Sequence, residues 1–314
     1  MAVLEMQRIG ICAMKKDRKK LLELLQKKGV VEIDAHVEED EVFKKMDTSS
    51  SRNIFEKNAQ AAERALEILQ EYVPEKKGML SSLEGKALVD AQSYDSVIKR
   101  QDAIMSKARQ LVSLSRQIAE NKANIQKREN QIEALEPWKN LDVPMNFVGT
   151  RKTEGFVGTV SELMNTEQLY AAVTQAVPDV DAFFAEVIST DRDQTYLCVI
   201  CGKKDAPAME EGLRSIGFAR PSQIGSLLPA DRQEQLRGKR EALVQKNEEI
   251  VSQIAAFAEA RRDLELVADY YRVRLDKYEV LGGLIQSKST FLITGYVPKR
   301  DGESLKQELD RNFT

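Results

Sequence analysis

At 314 residues the chain is long enough for about two globular domains and a substantial buried core. Charged residues make up 31% and aromatics only 6%, a balance that suits long solvated helices better than a compact enzyme. A formal net charge of -3 gives no general attraction to nucleic acid, no apolar run approaches the length of a bilayer span, and Glu5 and Arg8 exclude a secretory signal in the first ten residues.

Taken in order, Ile9, Ile11 and Ala13 alternate as a strand, and Leu21, Leu22, Leu24 and Leu25 follow at helical spacing until Gly29 closes the helix. Val31, Ile33, Ala35 and Val37 then alternate with Glu32, Asp34, His36 and Glu38, giving a strand-helix-strand unit with one wet sheet face. Residues 38 to 53 read as a loop. A helical pattern from Phe55 through Ala59, Ala62, Leu66 and Leu69 runs to Pro74, and Gly78 to Ser93 is an irregular connection.

Two longer stretches organise the chain. Val97, Ile104, Leu111, Ile118, Ile125 and Ile132 recur every seven residues, as do Leu236, Leu243, Ile250, Phe257, Leu264, Tyr271 and Tyr278. A strict seven-residue repeat stays covered only by a partner wound around it, so each stretch is half of a coiled coil. The compact segment between them brings the end of one to the start of the other, which predicts antiparallel pairing within the chain. A helix from residue 95 to residue 135 would be about 60 Å long.

The first long helix stops at Glu136-Pro137-Trp138 because proline disfavours helix in the residue before it. Beyond it lie a strand at Phe156 to Val160, a helix to Ala176 with Asn165 and Gln168 as a capping box, and strands at Val180 to Ile188 and Thr195 to Cys201. A helix from Pro207 to Gly217 and a short strand from Phe218 complete the ferredoxin-like order. At the other end, Thr290 to Pro298 is a strand, and Asp301 is expected to cap a helix carrying Leu305, Leu309 and Phe313 on one face. Joined to the N-terminal unit these make a second ferredoxin-like lobe lacking its last strand, so the chain reads as part of a longer protein.

The expected fold is therefore α+β, an elongated dumbbell with two ferredoxin-like lobes joined by an antiparallel coiled-coil shaft. Residues 1–50 with 287–314 form the proximal lobe, 51–136 with 228–286 the shaft, and 137–227 the distal lobe.

No residue pattern identifies a catalytic, cofactor-binding or metal site. Cys198-Val-Ile-Cys201 has redox or zinc spacing, but residues three apart on a strand face opposite ways, so both read as core cysteines in a reducing compartment. Glu32, Asp34 and His36 share a strand face that reads as solvated, and no second histidine supports general-base chemistry. Lys15, Lys16, Arg18, Lys19, Lys20, Lys27 and Lys28 make the first helix basic, suited to an anionic surface or acidic partner, although a solvated face explains them as well. The glycine pairs lack a phosphate-binding context.

Gly29-Val-Val-Glu-Ile33, Pro137-Trp-Lys-Asn-Leu-Asp142, Lys277-Tyr-Glu-Val-Leu281 and Phe291-Leu-Ile-Thr-Gly-Tyr-Val-Pro298 occur in an order that resembles the cytosolic N-terminal half of subunit I of V/A-type rotary ATPases, equivalent to that of eukaryotic V-ATPase subunit a. Glu32 and Tyr296 stand where family members often have His and Trp. The resemblance implies a non-catalytic stator part at the cytoplasmic face of the membrane. Its lobes would hold peripheral stalks built from subunits E and G, and the stalks would connect it to the soluble ATPase head. The central-rotor cap subunit and a C-terminal membrane domain, which carries the proton or sodium path, are further implied partners. Exposed helices at residues 15 to 28, 301 to 313, 166 to 176 and 207 to 216 are the expected stalk contacts. Because ferredoxin-like lobes also occur in regulatory proteins, a small-molecule-binding regulator is the alternative.

Overall fold

A computed structural model describes residues 4–34, 39–75, 88–221 and 225–313. It opens with β1 (Met6–Met14), a 3-10 turn at Lys15–Asp17, α1 (Arg18–Lys28), β2 (Glu32–Ile33), β3 (Lys44–Lys45) and α2 (Ser49–Tyr72). The helices α3 (Ala91–Lys99) and α4 (Gln101–Leu135) follow, then β4 (Thr153–Val160), α5 (Thr166–Ala176), β5 (Phe183–Thr190), β6 (Thr195–Gly202) and α6 (Ala206–Ser215). The chain closes with α7 (Pro229–Ala255), α8 (Arg261–Gly283), β7 (Ile285–Gln286), β8 (Thr290–Pro298) and α9 (Lys299–Asn312). This is a mixed α+β chain with antiparallel sheets. It divides into two compact units, residues 1–115 with 253–314 and residues 116–252.

In the first unit β8 is the centre of the sheet. Along one side it pairs with all of β1, from Met6 opposite Pro298 to Met14 opposite Thr290; its other side carries β2 and β7, and β3 extends the sheet beyond β7. Alternation sends Phe291, Ile293 and Val297 to one face, where Leu21, Leu22 and Leu25 of α1 and Leu305 of α9 cover them. Gly29 takes φ 64, the left-handed C-terminal cap that its sequence position suggests. Of the expected strand 31–37, only Glu32–Ile33 is β among the described residues; His36 lies outside them.

Three helices complete this unit. α2 lies along α8, and its buried Ala59, Ala62 and Ala65 let the two backbones approach closely; Phe55 packs against Tyr271 and Tyr278. Val97 of α3 with Ile104, Ala108 and Leu111 of α4 supplies the first turns of the seven-residue stripe, and Arg100 pairs with Asp263 at 3.8 Å.

In the second unit β6 lies between β4 and β5, both antiparallel to it, and Ala219 makes an antiparallel bridge to Thr159 on the outer edge of β4. One face packs Phe156, Leu197 and Val199 under α5 and α6. The other packs Val157, Tyr196 and Cys198 under Leu135, Trp138, Leu141 and Leu236. Alongside, the α4 and α7 stripes meet within the chain. Asn121 Nδ2 donates to Asn247 Oδ1 at 2.8 Å, and Gln233 Nε2 donates to the Ile132 carbonyl and to Glu136 Oε2. Partners descend along α7 as they ascend along α4, the antiparallel sense expected.

Several sequence expectations need correction. The first long helix is interrupted at Arg100, whose N–H bonds back to Val97 O in a tight turn; α3 before it is a separate helix capped by Asp90, whose carboxylate accepts from Ser93 N. The second is interrupted by a 3-10 turn at Ala258–Ala260, which removes Phe257 from the regular stripe and turns Arg261 toward the end of α2. β5 starts three residues later than expected because Val180 N bonds back to Val177 O in the turn after α5. Asp301 caps nothing: α9 begins at Lys299, whose N–H is satisfied by the Glu5 carbonyl, and Asp301 sits in its first turn.

Candidate docking surfaces

The CxxC spacing of Cys198 and Cys201 does not bring the two thiols together. Cys198 and Cys201 are 4% and 2% exposed on opposite faces of β6, Cys198 toward Trp138 and Cys201 toward Phe156. Burial, then the charge of Glu186, pushes the Cys198 thiol up to about 11. Burial, then Asp205 and Glu154, raises Cys201 as well. Thiols held protonated are poor nucleophiles and poor metal ligands at neutral pH. Cys12 is exposed. No group of three His, Cys, Asp or Glu side chains among the described residues is placed to hold a metal ion.

The first helical surface is the outer side of α1 and α9. Lys28 forms an ion pair with Glu308, tying the two helices together. Arg18 turns inward, donating from Nη1 to Gln286 Oε1 at 3.0 Å, so it is spent on the fold. Lys16, Lys19, Lys20 and Lys27 remain exposed on α1 and the preceding turn, and Lys306 and Arg311 on α9. This face is predominantly basic.

The second surface is the outer side of α5 and α6. The expected capping box is present: Gln168 N donates to Asn165 Oδ1 and Asn165 N to Gln168 Oε1. Leu169, Val173, Met209 and Leu213 point into the core, and Gly212 packs so closely that a Cβ there would meet Val177 at 2.3 Å. Glu167, Glu210 and Glu211 face outward, with Glu210 reaching Arg220 at 3.7 Å. Arg214 is exposed on α6 as well, and Glu23, Glu303 and Asp310 on α1 and α9, so the first helix pair carries a net basic and the second a net acidic surface.

Two open grooves lie in the first unit. One, of about 730 Å³, lies between α2 and α8 and is lined by Glu63, Glu67, Glu71, Glu75 and Glu265 around Arg261. The other, of about 600 Å³, lies between β1 and α9, with Ile9, Ile11, Leu21, Leu305, Leu309 and Phe313 among its walls. No helix among the described residues is long and apolar enough to cross a membrane.

No protein-family model matches the chain, and no curated protein matches it. Among solved structures the chain is similar to the cytoplasmic N-terminal domain of subunit I, a homolog of subunit a, of V-ATPase. The match has a TM-score of 0.49 and 17% identity, and covers 97% of this chain and 98% of that one.

Proposed function

We propose that this chain is a non-catalytic stator component of a V/A-type rotary ATPase, a collar element that links peripheral stalks of subunits E and G to the membrane domain and resists torque. The observation that carries the reading is the antiparallel meeting of the α4 and α7 stripes beside a small α/β lobe, sealed at its end by Trp138. Helices paired side by side resist bending and need no reactive group, which is what a load-bearing part requires.

The residues that resemble subunit I fall where they matter for this architecture. Trp138 and Leu141 are buried under the second sheet, Gly29 is the left-handed cap of α1, and Phe291 to Pro298 is the central strand of the first sheet. The ferredoxin-like assignment of the lobes is supported by strand order. Counting Ala219 as a fourth strand, the second sheet runs fourth, first, third, second, all antiparallel; the first sheet repeats the order of first, third and second. Residues 51–136 with 228–286 then act as the shaft, with 137–227 and the joined chain ends as the lobes.

The stalks dock on the helical faces, one on the basic face of α1 and α9 and the other on the acidic face of α5 and α6. Co-purification with an E/G heterodimer tests this. Lys19→Glu with Lys20→Glu, and separately Glu210→Lys with Glu211→Lys, should each weaken binding at one site by about tenfold or more, since unfavourable juxtaposed charge costs on the order of a kcal/mol or more. Unchanged affinity for both pairs removes the docking assignment. Failure of the unaltered chain to bind any stalk removes the stator reading.

A further inference from the structure

In the second unit the hydrogen bond between Asn121 and Asn247 fixes which residues of α4 and α7 share a layer of the seam. The helices run antiparallel, so one repeat on from Asn121 and one repeat back from Asn247 lead to the next equivalent layer, which holds Arg128 and Arg240. Ile125 and Leu243 make the layer between, and Ile132 and Leu236 the layer beyond. Two arginines therefore stand opposite each other inside the helix pair.

Neither guanidinium is satisfied there. Both residues are half-buried, and the Nε of each is shut off from solvent with no hydrogen-bond acceptor among the described residues. Arg128 donates from Nη1 to Gln131 Oε1 at 3.3 Å, which leaves the edge formed by Nε and Nη2 open. Arg240 reaches only its chain neighbour Glu241, with Nη2 3.8 Å from Oε1, too long for a hydrogen bond. Arg261 shows the contrast, since two carbonyls, Gln70 and Glu75 surround it. Lys127 and Lys239 adjoin the arginines in the chain and offset Glu129 and Glu241, so the positive charge of the layer is not cancelled locally. Val244, one turn beyond Arg240, is 39% exposed, which leaves a flank of the layer open to solvent.

We propose that Arg128 and Arg240 form a seat for one oxyanion, a phosphate or carboxylate group, bound between α4 and α7. The Nε and one Nη of a guanidinium are parallel donors that match two oxygens of such a group, so two facing forks make a clamp. The anion takes the two enclosed Nε–H donors and neutralises like charges that otherwise push the helices apart. The site rests on the layers of the seam alone and is independent of the stator reading.

The experiment follows the side-chain Nε–H signals of Arg128 and Arg240 by nuclear magnetic resonance in the isotope-labelled chain. Inorganic phosphate, and separately acetate, is added at constant pH, with ionic strength held by sodium chloride. Both signals should move together and saturate on one binding curve. Arg128→Lys or Arg240→Lys should weaken that binding by about tenfold or more, because an ammonium keeps the charge and loses the fork. Saturation by phosphate alone supports the seat as one for a phosphate group, and saturation by acetate as well supports a carboxylate occupant. Arg128→Leu with Arg240→Leu removes the like charges, so its urea midpoint should equal or exceed that of the unaltered chain and should no longer rise with phosphate. Signals that respond to phosphate and acetate no more than to chloride overturn the proposal, as does a phosphate-dependent midpoint that survives in the double variant. A lower midpoint in the double variant also overturns it, because the arginines would then already be satisfied within the fold.

Discussion

Arg261 is the residue on which the helical part of the first unit turns. Only 8% exposed, it donates from Nη2 to the carbonyls of Leu69 and Val73 and from Nη1 to Gln70 Oε1, and it forms an ion pair with Glu75, Nε to Oε1, at 3.2 Å. The last carbonyls of a helix have no partner within it and carry the negative end of its dipole, so a buried guanidinium satisfies both needs at once. Arg261→Ala should lower stability by about 1–3 kcal/mol, read from urea midpoints, because it leaves the half-buried Val73 carbonyl without this donor and takes one of two donors from Leu69 O. Arg261→Lys should recover only part, since an ammonium cannot fork across two carbonyls.

Cys198 gives a pH prediction at the same scale. Its folded-state value is raised to about 11 from 9.0, so the unfolded chain loses that proton first. The stabilising contribution is therefore complete below pH 9 and is lost as pH rises from 9 toward 11. Urea melts across that window should show a smaller alkaline loss for Cys198→Ala than for the unaltered chain; identical slopes would refute the assignment.

At the scale of elements, the polar pair Asn121 and Asn247 sits in the seam between α4 and α7. A single buried amide pair costs stability and rejects shifted registers, since any slip leaves each amide without its partner. Asn247→Leu alone should cost about 1–2 kcal/mol by leaving Asn121 unsatisfied. Asn121→Leu with Asn247→Leu should regain that loss, and a double-mutant cycle on urea midpoints measures the coupling.

Elements of this kind were unevenly legible in the sequence. The seven-residue stripes and the Asn165 capping box announce themselves because their information lies within a turn or two of chain. Nothing near them in the chain marks Arg261 or Asn121, since their partners lie 188 to 192 and 126 residues away. In the candidate docking surfaces, the basic cluster is visible in the sequence but its membership is not, because only tertiary structure reveals that Arg18 is bound to Gln286.

For the whole molecule, the chain passes from one compact unit to the other twice, inside α4 near Ser115 and inside α7 near Ser252. Under the stator reading, load is carried through those two helical crossings, so they are where stiffness should matter and docking chemistry should not. Ser252→Pro removes a backbone donor and forces the ring against the preceding turn, a local cost of about 3 kcal/mol or more. Ser115→Pro does the same in α4. Each lobe should keep its sheet signature in circular dichroism and its affinity for E/G. In the reassembled ATPase, ions moved per ATP hydrolysed should fall while hydrolysis continues. A transport ratio that survives both prolines would mean that torque takes another route, and the two stripes would then serve packing alone.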